Sequence, residues 1–159
     1  MNIRPATPDD VRAVLPMMAG QTEVHEQWDP DRFGYKPEAP RMYERWLTRE
    51  ASNPHSVFLV AEREPSRIVG FLIGTIEQSI PVYRVTQFGF IHDMWVEPDY
   101  RHEGIGRQLM MLALEKYRQL GVKQVRLETA DKNEGARNLF KSCGFRISAI
   151  EMMLQFPDS

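Results

Sequence analysis

The residues best suited to chemistry lie in one stretch, Phe90–Arg107, which reads FIHDMWVEPDYRHEGIGR. It has the pattern of a strand, a proline turn, and a short polar loop closing on Gly104 and Gly106 at the head of an amphipathic run. A backbone shaped this way aims a row of free amide N–H groups at one point beside the positive end of a helix. That is an anion site, and a pyrophosphate suits it. A bare pair of glycines fits equally well a tight strand-to-helix turn that binds nothing. Two other phosphate motifs are missing. No third glycine stands at dinucleotide-fold spacing, and no lysine followed by Ser or Thr forms a P-loop.

Size and composition bound what the loop can serve. A chain of 159 residues is expected to form one domain, residues 1–159, with a sizeable core. Hydrophobic content of 42% with 26% charged residues belongs to an ordinary globular protein. A net charge of −2 gives no basic face for a nucleic acid. The single cysteine, Cys143, excludes an internal disulfide and suits a reducing cytoplasm. The start, MNIRPATPDD, lacks the apolar core of a signal peptide, and apolar runs such as Ile68–Ile76 are too short to span a membrane. The expectation is a cytoplasmic protein with no membrane partner.

The elements that must position the loop follow from periodicity. Asn2–Ala6 reads as a strand. Thr7, Pro8, Asp9 and Asp10 then open a helix over 8–26, with a kink or break expected at Pro16. An aromatic and acidic loop covers 27–40, and a second helix covers 41–51. From there the period becomes two. Ser56–Arg63 and Ile68–Glu77 form a hairpin, and Gln87–Glu97 is a third long strand. A helix over 104–120 ends at Gly121, a strand follows over 124–129, and Asn133 caps a helix running to Ser142. Phe145–Phe156 reads as a final strand. An antiparallel meander thus feeds a strand–helix–strand crossover with parallel pairing. The fold class is α/β with a mixed sheet between layers of helices, and the loop lies at the carboxyl end of the first crossover strand.

Arg101-His102-Glu103-Gly104-Ile105-Gly106 resembles the [RQ]-x-x-G-x-[GA] signature of the GNAT superfamily of N-acetyltransferases. Asn133-Glu134-Gly135-Ala136-Arg137-Asn138-Leu139-Phe140, followed by Cys143-Gly144-Phe145, is similar to that family's second motif. The order of elements matches over nearly the whole chain. The resemblance implies a GNAT-like three-layer fold and acetyl-CoA as co-substrate. Backbone N–H groups of His102, Glu103, Gly104, Ile105, Gly106 and Arg107 would hold the pyrophosphate, with Arg101 and Arg107 adding positive charge. Met94, Trp95 and Val96 would bond the pantetheine arm along a strand splayed by a bulge, and Asn133 would act as helix cap, ligand contact, or both.

Transfer to an amine requires a neutral nucleophile. An aliphatic ammonium titrates near ~10.4, so one molecule in ~2,500 is neutral at pH 7, a barrier of roughly 4.6 kcal/mol. A base or a water relay is therefore needed beside the acceptor. His92 is the first choice, because family members that use a base on this strand often place it at positions matching Phe90 or His92. Asp93 is the second, as base or as partner for a cationic substrate. Strict alternation puts Phe88, Phe90 and His92 on one face and Ile91 and Asp93 on the other. One departure from the family stands at Phe140, where a tyrosine commonly protonates the leaving thiolate; phenylalanine has no proton to give.

The acceptor wall is expected from Glu23–Tyr35, whose acids interleave with Trp28, Phe33 and Tyr35. The resulting expectation is an N-acetyltransferase acting on a primary amine of a small molecule by direct attack in a ternary complex. A module that binds acyl-CoA without turnover is the alternative, and a nucleotide-binding regulatory domain is a third. The last strand is apolar enough to support a homodimer.

Overall fold

In a computed structural model, which describes residues 1–158, five strands form one sheet in the order β1-β2-β3-β4-β5. They are β1 (Asn2–Pro5), β2 (Val57–Glu62), β3 (Ile68–Gln78), β4 (Gln87–Val96) and β5 (Val125–Leu127). The first four pair antiparallel, and β5 joins β4 in parallel through the crossover helix α4 (Ile105–Gln119). The mixed sheet expected from the sequence is present. β5 is shorter than expected because only Gly89–Ile91 of β4 pair with it.

Strand β3 is buried on both faces, so its run of Ile, Val, Phe and Leu feeds two cores at once. One face packs Val57, Leu59, Val69 and Leu72 against Ile105, Leu109, Met110, Ala113 and Tyr117 of α4. The other packs Phe58, Val60, Phe71 and Ile73 against α1 (Val11–Trp28) and α3 (Ala39–Ala51). At the entry to α1, Arg4 binds Asp10 with two nitrogens at 2.7 and 2.9 Å, and its Nε reaches Glu62 at 3.3 Å. The Arg4 guanidinium holds the Asp10 carboxyl down at about 2.

Pro16 neither breaks nor ends the first helix. A 3-10 turn at Pro8–Asp10 precedes α1, which then runs unbroken from Val11 to Trp28. One lost hydrogen bond is outweighed by the buried stripe of Val14, Met17 and Met18. The loop expected over 27–40 contains a single helical turn, α2 (Pro30–Phe33), capped where the Asp29 side chain accepts from Arg32 N. Helix α5 (Glu134–Ser142) forms as expected behind Asn133, whose side chain accepts from Ala136 N at 3.1 Å.

The expected final strand is absent. Residues 145–156 include no strand, and only Phe145 is more than marginally covered. Phe145 anchors the segment by packing on Phe140, while Ile147–Phe156 meet no neighbouring strand among the described residues. A strand requires a partner for its backbone groups, and apolar alternation alone does not provide one.

Candidate active site

The site is built around an irregularity in β4. Ile73 of β3 pairs with Asp93, yet Gly74 pairs with Ile91, so His92 is an extra residue opposite nothing. This β-bulge reverses the alternation beyond it. The sequence pattern puts His92 and Asp93 on opposite faces; the bulge brings both to the face covered by α1 and α3. His92 lies edge-on to Trp46 of α3 at 5.2 Å. Asp93 stands opposite Ile73, a member of the same core.

Helix α4 secures the bulge from behind. The Tyr117 hydroxyl donates toward the Thr75 and Phe90 carbonyls, at 3.0 and 3.2 Å. Its ring lies so close to the sheet that a Cβ on Gly89 would sit 2.7 Å from it. A Cβ on Gly74 would sit 2.1 Å from the hydroxyl oxygen. Glycine on both neighbouring strands makes room for one buried tyrosine.

The two titratable groups differ in their surroundings. His92 Nε2 is 2.7 Å from Thr75 Oγ1 and 3.4 Å from Glu77 Oε1. Burial lowers its pKa, with the Glu77 carboxylate pulling the other way. Asp93 has burial as its one perturbing cause, and no donor among the described residues relieves it; the carboxyl is pushed up to about 6. Tyr35 and Tyr43 share its surroundings. Burial first, and the Asp93 charge second, raise both phenols above their usual range.

Beyond Ile91, β4 loses its neighbour on the β5 side while β3 continues beside it to Val96. Met94, Trp95 and Val96 therefore border an open split in the sheet. Met94 and Val96 join the α4 core, and Trp95 packs on Gly20 of α1. Arg101 does not point freely into the loop. Its Nε donates to the Val96 carbonyl at 2.8 Å, and its guanidinium lies 4.5 Å over the Trp95 ring.

The loop itself alternates in hand. His102 has φ 64° and Gly104 has φ 82°, left-handed conformations that turn successive N–H groups to one side. Among the described residues no protein group accepts from the backbone N–H of His102, Glu103, Gly104, Ile105, Gly106 or Arg107. A Cβ on Gly106 would lie 3.2 Å from Leu139 and 3.8 Å from Met94, so α4 starts hard against α5 and β4. The Arg107 side chain turns away to α5, donating to Ser142 O at 2.9 Å. Glu103 pairs with Arg63. Asn133 spends its side-chain oxygen on capping α5, and Phe140 packs on Phe145 with ring centres 6.1 Å apart.

The segment 23–35 does approach the site. His25 stacks on Phe33 at 5.0 Å and lies 5.6 Å from Trp28. Lys132 Nζ, beyond β5, donates to the Trp28 carbonyl at 3.2 Å. A cleft between them is lined by Trp28, Asp29, Phe33, Ala130, Asp131 and Lys132. Glu23, Glu26 and Asp31 stay exposed. Sequence reasoning missed Thr75 and Glu77, which hold His92, and gave Tyr43 and Trp46 no role in the site; Tyr117, which it offered as a possible proton donor to the thiolate, instead binds the Thr75 and Phe90 carbonyls. The one sequence signal of Tyr43 and Trp46 is the aromatic stripe on α3, which any core helix shares.

Comparison with known proteins fits this geometry. Residues 22–145 match the Acetyltransferase (GNAT) family. The chain belongs to the GNAT family. The uncharacterized N-acetyltransferase YhfO of Bacillus subtilis is 31% identical over 147 residues, covering 91% of this chain and 89% of that protein. A mycothiol acetyltransferase from Cellulomonas flavigena is 30% identical over 160 residues; the match spans 92% of this chain but 43% of that longer protein. In structure, a mutant of the BH1408 protein from Bacillus halodurans superposes with a TM-score of 0.88 at 23% identity, over 99% of this chain and 100% of that one. The GNAT family consists of acetyl-CoA-dependent acyltransferases, and this chain is an acyltransferase of that kind. Among the described residues, no helix is long and apolar enough to cross a membrane.

Proposed function

We propose that this GNAT protein, acting as one domain in the cytoplasm, acetylates a primary amine of a small molecule by direct attack within a ternary complex. The observation that carries the reading is the Asp93 carboxyl. It has no donor among the described residues, it is raised to about 6, and it faces the helices α1 and α3 one residue beyond the bulge. A cationic amine entering between those helices meets one carboxylate with aromatic rings of α3 around it.

The residues present fit acetyl-CoA. The unclaimed N–H groups of 102–107 suit a pyrophosphate, and a side chain at Gly106 would crowd Leu139. The open edge of β4 at Met94–Val96 suits an extended amide-bearing arm. When bound, acetyl-CoA supplies the thioester carbonyl and a thiol leaving group.

The chain's own part is to manage protons and position. Asp93, ionised above pH 6, pairs with the ammonium and takes one proton from it. A bond then forms between the amine nitrogen and the acetyl carbon while the carbon–sulfur bond breaks. The nitrogen's second proton neutralises the departing thiolate, which is consistent with a phenylalanine at 140. His92, kept neutral by burial and held by Thr75 and Glu77, shapes the wall beside Asp93. The geometry thus favours Asp93 over His92 as the base.

A panel of amines assayed by thiol release tests the proposal. Turnover of a cationic amine with an apolar body, lost in Asp93→Asn, is expected; turnover of neutral hydroxyl acceptors alone would refute it. Gly106→Glu should abolish the thermal protection given by acetyl-CoA. Unchanged protection would remove the pyrophosphate assignment.

A further inference from the structure

The sheet stops at β5, whose outer edge has no partner strand among the described residues, while twenty residues further along the chain an apolar segment lies unpaired. Residues Ile147–Phe156 are in no helix or strand, and among the described residues no backbone ladder bond joins them to any element. Alternate positions from 150 onward are Ile150, Met152, Leu154 and Phe156, exposed by 81%, 90%, 74% and 79%. A strand with this pattern presents one wholly apolar face. Monomers rarely leave such a stripe in water.

The segment is nevertheless directed along the sheet. Arg32 of α2 donates through Nε to Glu151 at 2.6 Å, while its Nη2 lies 3.8 Å from Glu128 just past β5. One guanidinium thus ties the tail to the carboxyl end of β5, but the tail makes no pairing with that strand. Half-buried Val125, Leu127 and Phe140 flank the α4 core on this side of the sheet.

We infer that the tail 147–156 is exchanged between two copies of this chain, each tail adding a strand to the open β5 edge of the other. The arrangement is self-complementary: every copy carries one unpaired strand and one unpaired edge, so two copies satisfy both and the assembly closes. Area agrees with this occupant. Four large apolar side chains per tail hide on the order of 500 Å² in each copy, and the symmetric pair about 1,000 Å² before the strand edges are counted, the size a specific interface needs. Within one chain Glu151 occupies the place beside Arg32 and Glu128; exchange gives that place, next to the cleft lined by Trp28 and Phe33, to the partner's tail.

Light scattering on the full chain is expected to give a dimer. Met152→Asp should weaken association at least tenfold, and Met152→Leu should leave it intact. To distinguish exchange from side-by-side docking, Cys143→Ser chains carrying either Lys123→Cys or Gln155→Cys are refolded together and treated with a short bismaleimide. A covalent species of two chains, formed in the mixture and in neither protein alone, is the expected result. A monomer at every concentration overturns the inference. So does a dimer in which the mixture yields no interchain product, because a tail folded on its own β5 or bound to an unrelated protein would give that result.

Discussion

Asp93 and His92 are neighbours in sequence and share a face, but burial drives them in opposite directions. Burial disfavours charge, so it pushes the imidazole pKa down and the carboxyl pKa up. For Asp93 the folded pKa, about 6, exceeds the ordinary value of 3.8, so the folded chain binds this proton more tightly than the unfolded one. The resulting penalty is absent at low pH, grows between about pH 4 and 6, and is complete above, where it reaches at most about 3 kcal/mol. Asp93→Asn should therefore melt at higher temperature than wild type at pH 7, with the gain vanishing near pH 4. The same change should lower kcat/KM by roughly 10²–10⁴ and abolish the rise in rate centred near pH 6. His92→Gln should keep that rise. Thermal melts at the two pH values and rate profiles of both variants check this. An Asp93→Asn enzyme that still turns on near pH 6 would put the base elsewhere.

The element that brings these residues together is the bulge in β4, and it depends on a helix distant in sequence. Tyr117 reaches through two glycines to hold the Thr75 and Phe90 carbonyls. Tyr117→Phe removes that hydroxyl and should cost about 1–2 kcal/mol, read as a modest fall in melting temperature. Gly74→Ala drives a methyl to within 2.8 Å of the Phe90 carbonyl as well as onto Tyr117. It should cost about 3 kcal/mol and depress turnover more than acetyl-CoA binding, because the bulge faces the amine and the 102–107 loop does not depend on it. Equal losses in both would mean that β4 moves as a whole. The same pair of features shows what the sequence made legible. The glycine loop is readable because Pro98, Gly104 and Gly106 act on the local backbone. The helix cap at Asn133 and the hairpin of β2 and β3 are readable for the same reason. The bulge is not, since its register depends on contacts between strands and on Tyr117, twenty-five residues beyond His92. Strict alternation therefore assigned His92 and Asp93 to opposite faces.

At the scale of the molecule, the apolar tail links the fold of one chain to the presence of another. Its alternation was legible as a strand; the missing partner was not, because periodicity describes a surface and says nothing of what covers it. If two tails exchange, unfolding a chain also dissociates a dimer, and mass action makes the melting temperature rise with protein concentration. A tail folded on its own chain gives a melting temperature independent of concentration. Wild-type protein melted across a hundredfold dilution should show the rise, whereas Met152→Asp should melt lower and at a constant temperature. Arg32→Ala tests the guide as distinct from the apolar strand. It frees Glu151 and Glu128 without exposing or burying apolar surface, and exposed ion pairs are worth about 1 kcal/mol or less. It should therefore leave the concentration dependence in place with only a small drop in melting temperature. A variant that loses the dependence altogether would mean that the ion pair, and not the apolar stripe, holds the two copies together.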